Sequence, residues 1–86
     1  MRVRLYTSPH CPRCEALKEA LRELGVDYEE LDASDTDVMA DLIMRDVYLT
    51  STPALEVGGR LLTSEDLFEG GAVNRELLKR AVGGGG

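Results

Sequence analysis

Residues 2–14 read Arg2-Val3-Arg4-Leu5-Tyr6-Thr7-Ser8-Pro9-His10-Cys11-Pro12-Arg13-Cys14. The first six alternate and are rich in strand formers, which predicts a strand over 2–7. Ser8-Pro9-His10 is a loop. Cys11 then takes the N-cap place of a helix and Pro12 its first position, where a missing N–H costs nothing. A Cys-Pro-Arg-Cys turn thus opens a helix. Unpaired backbone N–H groups and a partial positive charge there favour a thiolate over a thiol. Two residues between the cysteines let one sulfur attack a disulfide and the other resolve the product. In a strand–helix–strand setting, C-x-x-C reads first as a redox motif.

Outward from this stretch, Ala16, Leu17, Ala20, Leu21 and Leu24 form an apolar stripe at helical spacing, and Gly25 is a natural stop. Val26 to Leu31 is a second strand with acids on its wetter face. Ser34, with Asp37 three places on, resembles a capping box for a second helix, Asp standing in for Glu. Val38, Met39, Leu42 and Ile43 are its expected buried face. Tyr48 to Thr52 is a connection that ends at Pro53. Ala54–Val57 and Arg60–Thr63 read as strands joined by the two-residue loop Gly58-Gly59. Ser64 is expected to cap a third helix with Glu65 and Asp66 in its first turn, where acids meet the positive end of the dipole. Gly70-Gly71 breaks that helix. Asn74 caps a last helical piece with Leu77, Leu78, Ala81 and Val82 inward.

The order is β-α-β-α-β-β-α. A parallel first pair needs a right-handed crossover helix, which 12–25 supplies. The expectation is an α/β domain over 1–82, a four-stranded mixed sheet with helices on both faces, followed by a flexible glycine tail over 83–86.

The 86 residues allow one domain with a small core. Two cysteines are too few for a disulfide-stapled secreted scaffold. No segment approaches the roughly 20 apolar residues that span a bilayer, and Met1-Arg2-Val3-Arg4-Leu5 does not read as a signal peptide. The expected location is a reducing cytoplasm, with no membrane partner. The net charge of −6 is unevenly placed. Residues 1–22 carry Arg2, Arg4, Arg13, Lys18 and Arg22 against Glu15 and Glu19, a net of +3. Residues 23–46 carry Glu23, Asp27, Glu29, Glu30, Asp32, Asp35, Asp37, Asp41 and Asp46 against Arg45 alone, a net of −8. This acidity argues against nucleic acid as a partner. It is either a solvated face or a means of steering a basic partner.

Several residues admit two readings. The cysteines form a redox pair, an inert pair or half of a metal clip. A structural zinc site needs four ligands, and two Cys with one His cannot close it in one chain. A dimer could bridge zinc or an iron–sulfur cluster with two C-x-x-C pairs. Soft-metal carriers that use C-x-x-C run β-α-β-β-α-β, and the helix before Pro53 speaks against that order. Arg13 either favours the Cys11 thiolate or is an exposed cation of little effect. His10 either relays a proton or contacts solvent. Tyr6, Tyr28 and Tyr48 read as core or rim packing.

The element order, Cys11-Pro12-Arg13-Cys14 after the first strand, Thr52-Pro53 before the third, and the Gly58-Gly59 hairpin together resemble the thioredoxin fold. The run Tyr6 to Cys14, then Leu17-Lys18 and Leu24-Gly25-Val26, is similar to glutaredoxins and to the glutaredoxin-like H-redoxins that supply electrons to ribonucleotide reductase. The resemblance covers residues 2–82. It implies that Cys11 is the attacking thiol, Cys14 the buried resolving thiol and Pro53 a cis-proline facing them. Thr52, Pro12, Arg13, Ser64 and Glu65 are implied to line the substrate site.

Some positions depart from the glutathione-using members. Ser8 stands where a lysine usually precedes the first cysteine by three, Arg13 where a tyrosine is common, and Leu62-Thr63 where a second glycine pair is usual. The aromatic and Arg-Pro signature of H-redoxins is absent. The implied activity is a glutathione-independent dithiol–disulfide oxidoreductase acting on protein disulfides. It would be a monomer with no cofactor and no metal, reset by a thioredoxin-reductase-like or other external reductant. The rivals are a metal- or cluster-binding dimer, a glutathione-dependent glutaredoxin, and a non-catalytic interaction domain that keeps the fold.

Overall fold

The computed structural model describes residues 2–49 and 51–83. Its elements are β1 (Val3–Thr7), α1 (Pro12–Glu23), β2 (Glu29–Asp32), α2 (Thr36–Met44), β3 (Ala54–Val57), β4 (Arg60–Leu62), α3 (Ser64–Leu67), β5 (Phe68–Glu69), β6 (Ala72–Val73) and α4 (Arg75–Gly83). Four strands form one sheet in the order β2-β1-β3-β4. β1 runs parallel to β2 and antiparallel to β3, and β3 is antiparallel to β4. This is the expected mixed sheet flanked by helices. No helix among the described residues is long and apolar enough to cross a membrane.

Strand alternation sorts side chains between the two faces. Val3 and Leu5 of β1, Leu55 and Val57 of β3 and Leu62 of β4 turn to one face. There they meet Leu17, Ala20 and Leu21 of α1, Leu67 of α3 and Leu78 of α4. Leu5, Leu17, Leu21, Leu55, Leu67 and Leu78 are completely buried. Each such side chain stabilises the fold by roughly 1.5–3 kcal/mol. The other face has a smaller core of Tyr6, Leu42 and Ala54 under α2. A polar triad completes it. Arg45 Nη2 donates to the Tyr6 hydroxyl at 2.8 Å, Tyr6 donates to Glu56 Oε1 at 3.1 Å, and Arg45 Nη1 donates to Glu56 Oε2 at 3.0 Å.

The helices α1 and α2 each end on a left-handed residue. In α1 this is Gly25, whose N–H donates to the Arg22 carbonyl at 3.0 Å while Val26 N–H donates to the Leu21 carbonyl at 3.0 Å. In α2 it is Asp46, with Asp46 N–H on the Ile43 carbonyl at 3.0 Å and Val47 N–H on the Leu42 carbonyl at 2.8 Å.

The structure corrects six local expectations, the first being the second strand, which runs Glu29–Asp32 rather than Val26 to Leu31. The cap of α2 is Asp35, whose carboxylate accepts from Asp37 N–H at 2.8 Å. Ser34 is held one turn earlier, its N–H and hydroxyl both donating to Asp32 Oδ1 at 2.8 and 2.6 Å. The stripe of α2 is only partly buried: Leu42 is inside, but Met39 and Ile43 are exposed. The N-cap of α3 is Thr63 rather than Ser64, with Asp66 Oδ2 accepting from Thr63 N–H at 3.1 Å. Gly70-Gly71 does more than break a helix, since it turns a second hairpin that pairs β5 with β6. Finally, Gly83 closes α4 rather than opening a tail. Positions 84–86 of the expected tail lie outside the described residues.

Candidate active site

The first cysteine sits where β1 gives way to α1. Cys11 is the N-cap of α1 with extended backbone, and Pro12 is the first helical residue. Capping normally uses a side-chain oxygen. Here sulfur takes that role, and Cys14 N–H donates to Cys11 Sγ at 3.1 Å. His10 reaches the cap through a left-handed backbone, φ +55°. Cys11 is half-buried, whereas Cys14, one turn on, is 2% exposed beneath it. The two form a disulfide with Cα atoms 5.2 Å apart. The two cysteines are thus unequal, an accessible sulfur at the helix mouth and a covered one behind it.

The connection into β3 brings the second half of the site. The Thr52–Pro53 peptide bond is cis, as the resemblance implied, and Pro53 is fully buried. Thr52 Oγ1 lies 3.8 Å from Cys11 Sγ and 2.6 Å from Ser8 Oγ. A chain of polar atoms therefore runs from the β1–α1 loop through Thr52 to the sulfur. In the sequence Ser8 reads as a loop residue standing where glutathione-using members usually have a lysine. Its hydroxyl three places before Cys11 is the one available sign of this role.

The remaining implied substrate residues divide. Ser64 is buried at the start of α3 and donates to the Pro53 carbonyl at 2.8 Å, so it holds the proline segment from behind. Glu65 is exposed on α3 and makes no described contact with the cysteines. Pro12 lies on the rim of the groove at the sulfur. Arg13 turns toward the Phe68 ring, 5.5 Å from its centroid, a cation–π placement that ties the C-x-x-C turn to the second hairpin.

A groove of about 910 Å³ opens beside the sulfurs, from His10, Cys11 and Cys14 to Glu15, Lys18, Glu30 and Asp32. Lys18 Nζ is engaged by Glu15 and Glu30, each at 3.2 Å. Its pKa is raised, first by the hydrogen bond to Glu30 and then by that to Glu15. Asp32 is held below the usual carboxylate range by hydrogen bonds from the Ser34 hydroxyl and N–H. The groove thus sets three carboxylates against one ammonium. Among the described residues no group of three or more His, Cys, Asp or Glu could hold a metal ion.

Comparison with known proteins finds thioredoxin-like structures of the same fold. The crystal structure of the thioredoxin-like protein BC3987 is similar at a TM-score of 0.71 and 26% identity, over 94% of this chain and 100% of that one. A point mutant of BC3987 is similar at a TM-score of 0.68 and 28% identity, over 93% and 97%. The glutaredoxin-like NrdH-redoxin of Escherichia coli shares the fold at a TM-score of 0.60 and 24% identity, over 73% and 82%. No curated protein sequence matches the chain. The glutaredoxin family model matches residues 3–62, which hold both cysteines, Thr52 and Pro53. The chain belongs to the glutaredoxin family.

Proposed function

We propose that the protein is a dithiol–disulfide oxidoreductase that reduces protein disulfides without using glutathione. One observation carries the reading. An accessible Cys11 sulfur caps a helix, accepts the Cys14 N–H at 3.1 Å and has the Cys14 sulfur directly behind it.

Reduced Cys11 is the nucleophile. The helix N-terminus and the Cys14 N–H favour its thiolate, and Thr52 Oγ1 lies within reach of the same sulfur. The thiolate attacks one sulfur of the substrate disulfide, and the other substrate sulfur leaves as a thiolate. Cys14, deprotonated, then attacks Cys11 Sγ and expels the second substrate sulfur. Two electrons have passed to the substrate, and the protein holds the Cys11–Cys14 disulfide. An external dithiol or flavoprotein reductase of the thioredoxin-reductase type returns them. Burial keeps Cys14 from competing for incoming disulfides, which fixes the order of the two steps.

Glutathione independence rests on charge. The tripeptide carries two carboxylates and one ammonium, a net negative charge, and the groove beside Cys11 is itself lined by Glu15, Glu30 and Asp32. The one lysine there already serves two of these acids. Ser8 offers a hydroxyl and no cation. The α3 carboxylate of Asp66 is taken by Thr63.

The experiment is reduction of the oxidised protein by two donors in parallel, a thioredoxin reductase with its nicotinamide cofactor and glutathione. Fast reduction by the reductase with glutathione inert is the expected result. Fast reduction by glutathione with the reductase inert overturns the proposal. On the resemblance to H-redoxins, the oxidised cysteine pair of a ribonucleotide reductase is the protein substrate to assay first.

A further inference from the structure

The exposed large apolar side chains among the described residues are Met39, Ile43, Met44 and Tyr48, all within ten positions on α2 and the segment after it. Scattered single exposures of this kind are ordinary. These are not scattered. Met39, Ile43 and Tyr48, at 48%, 54% and 70% exposure, line a groove of about 570 Å³ floored by the buried Leu42. No charged side chain enters its lining, and its other end is Ser8 and Thr52. Thr52 is the residue 3.8 Å from Cys11 Sγ, and Ser8 lines the acidic groove as well. The attacking sulfur of Cys11 therefore lies between two unlike surfaces, an uncharged apolar groove across Thr52 and a groove with three carboxylates to one ammonium.

We infer that the substrate is a protein segment whose cystine half is flanked by a bulky apolar residue on one side and a basic residue on the other. The inference rests on the proposed disulfide reduction and adds its specificity. The apolar side chain lies in the groove between Met39, Ile43 and Tyr48, removing from water a surface that the fold itself leaves bare. The basic side chain meets Glu15, Glu30 and Asp32. The net charge of −6 on the chain favours approach of a basic segment. Charge complementarity and continuity with the reactive sulfur thus point to one occupant. The chemistry is that of the proposed reduction: one substrate disulfide is broken, two substrate thiols form, and the Cys11–Cys14 disulfide takes up the balance.

The test uses cystine-linked peptides that differ only in the two residues beside cysteine: Leu with Arg, Ser with Arg, Leu with Glu and Ser with Glu. Hydroxyethyl disulfide, which has neither side chain, is the reference substrate. Each second-order rate of the pre-reduced protein is divided by the rate of dithiothreitol on the same compound, which removes intrinsic reactivity. The Leu–Arg peptide is expected to react about tenfold faster than Ser–Arg, the factor that about 1.4 kcal/mol commands. It is expected to exceed Leu–Glu several-fold at low salt, with that gap closing at high salt. In the Met39→Ser, Ile43→Ser double variant the Leu-to-Ser ratio falls toward one.

Equal rates across the peptides, with hydroxyethyl disulfide reduced, overturn this inference and leave the proposed function standing. Failure to reduce hydroxyethyl disulfide or any peptide overturns both. If the protein sediments as a dimer that the double variant dissociates, and peptide rates ignore the flanking residues, the groove serves self-association and the inference falls.

Discussion

The two faces of the sheet are built on different plans. Under α1, α3 and α4 the sheet is sealed by leucines with no exposure at all. Under α2 the core shrinks to Tyr6, Leu42 and Ala54, and the Tyr6–Arg45–Glu56 triad links the C-terminal end of α2 to β1 and β3. The first face packs Leu17, Ala20 and Leu21 of α1, the helix that Cys11 caps and on which Cys14 is buried. The second carries the apolar side chains left uncovered beside Thr52. The sealed face carries the fold's main apolar core, while the apolar groove proposed for substrate lies on the thinner side under α2, with the redox pair between the two.

Matched truncations separate the two faces most sharply. Leu21→Ala, in the sealed face, should cost about 2–5 kcal/mol in denaturant unfolding. Ile43→Ala, on the bare side of α2, should stay within about 0.5 kcal/mol. Similar costs at both positions would mean that α2 is packed as tightly as α1.

The helix ends give a smaller contrast. Gly25→Ala places a side chain at φ +71° with no neighbour within 4 Å. Its cost is purely conformational, roughly 1–2 kcal/mol. Asp46→Gly, at φ +57° in the equivalent turn of α2, should stabilise by less than about 1 kcal/mol. A destabilised Asp46→Gly would show that the aspartate makes a contact worth more than its backbone penalty.

The last contrast depends on pH. Burial disfavours the Glu56 carboxylate, yet the hydrogen bonds from Arg45 and Tyr6 and the charges of Arg45 and Arg4 outweigh it. Its pKa is held below the ordinary 4.5. A depressed folded pKa adds stability that is complete above the unfolded value and is lost as pH falls through the folded one. The melting temperature of the wild type should therefore fall more between about pH 5 and pH 3 than that of Glu56→Gln. Parallel curves would remove the triad from the account of how α2 is fastened.

Legibility in the sequence followed the same division. The C-x-x-C cap, the stop at Gly25 and the Gly58-Gly59 hairpin are local devices, and short-range rules find them. The site across the sheet is not local. Ser64 looks like a helix cap because Ser, Glu and Asp follow a strand, but its hydroxyl is spent on the Pro53 carbonyl eleven residues away. Ser8 reaches Thr52 across 44 positions, which no spacing rule reports. The hairpin of β5 and β6 escaped because two-residue strands are too short to show alternation. The stripe on α2 was legible as a stripe. Whether anything covers it depends on tertiary packing, and here the fold leaves Met39 and Ile43 in solvent.

The central claim is that Cys11 attacks and Cys14 resolves. The direct measurement is to mix reduced Cys14→Ser protein with a protein disulfide such as insulin and locate the adduct by mass spectrometry of the digested product. The account predicts a mixed disulfide on Cys11 that accumulates because nothing resolves it, and none from Cys11→Ser. No adduct from Cys14→Ser, or an equal yield on Cys14 in Cys11→Ser, would contradict it.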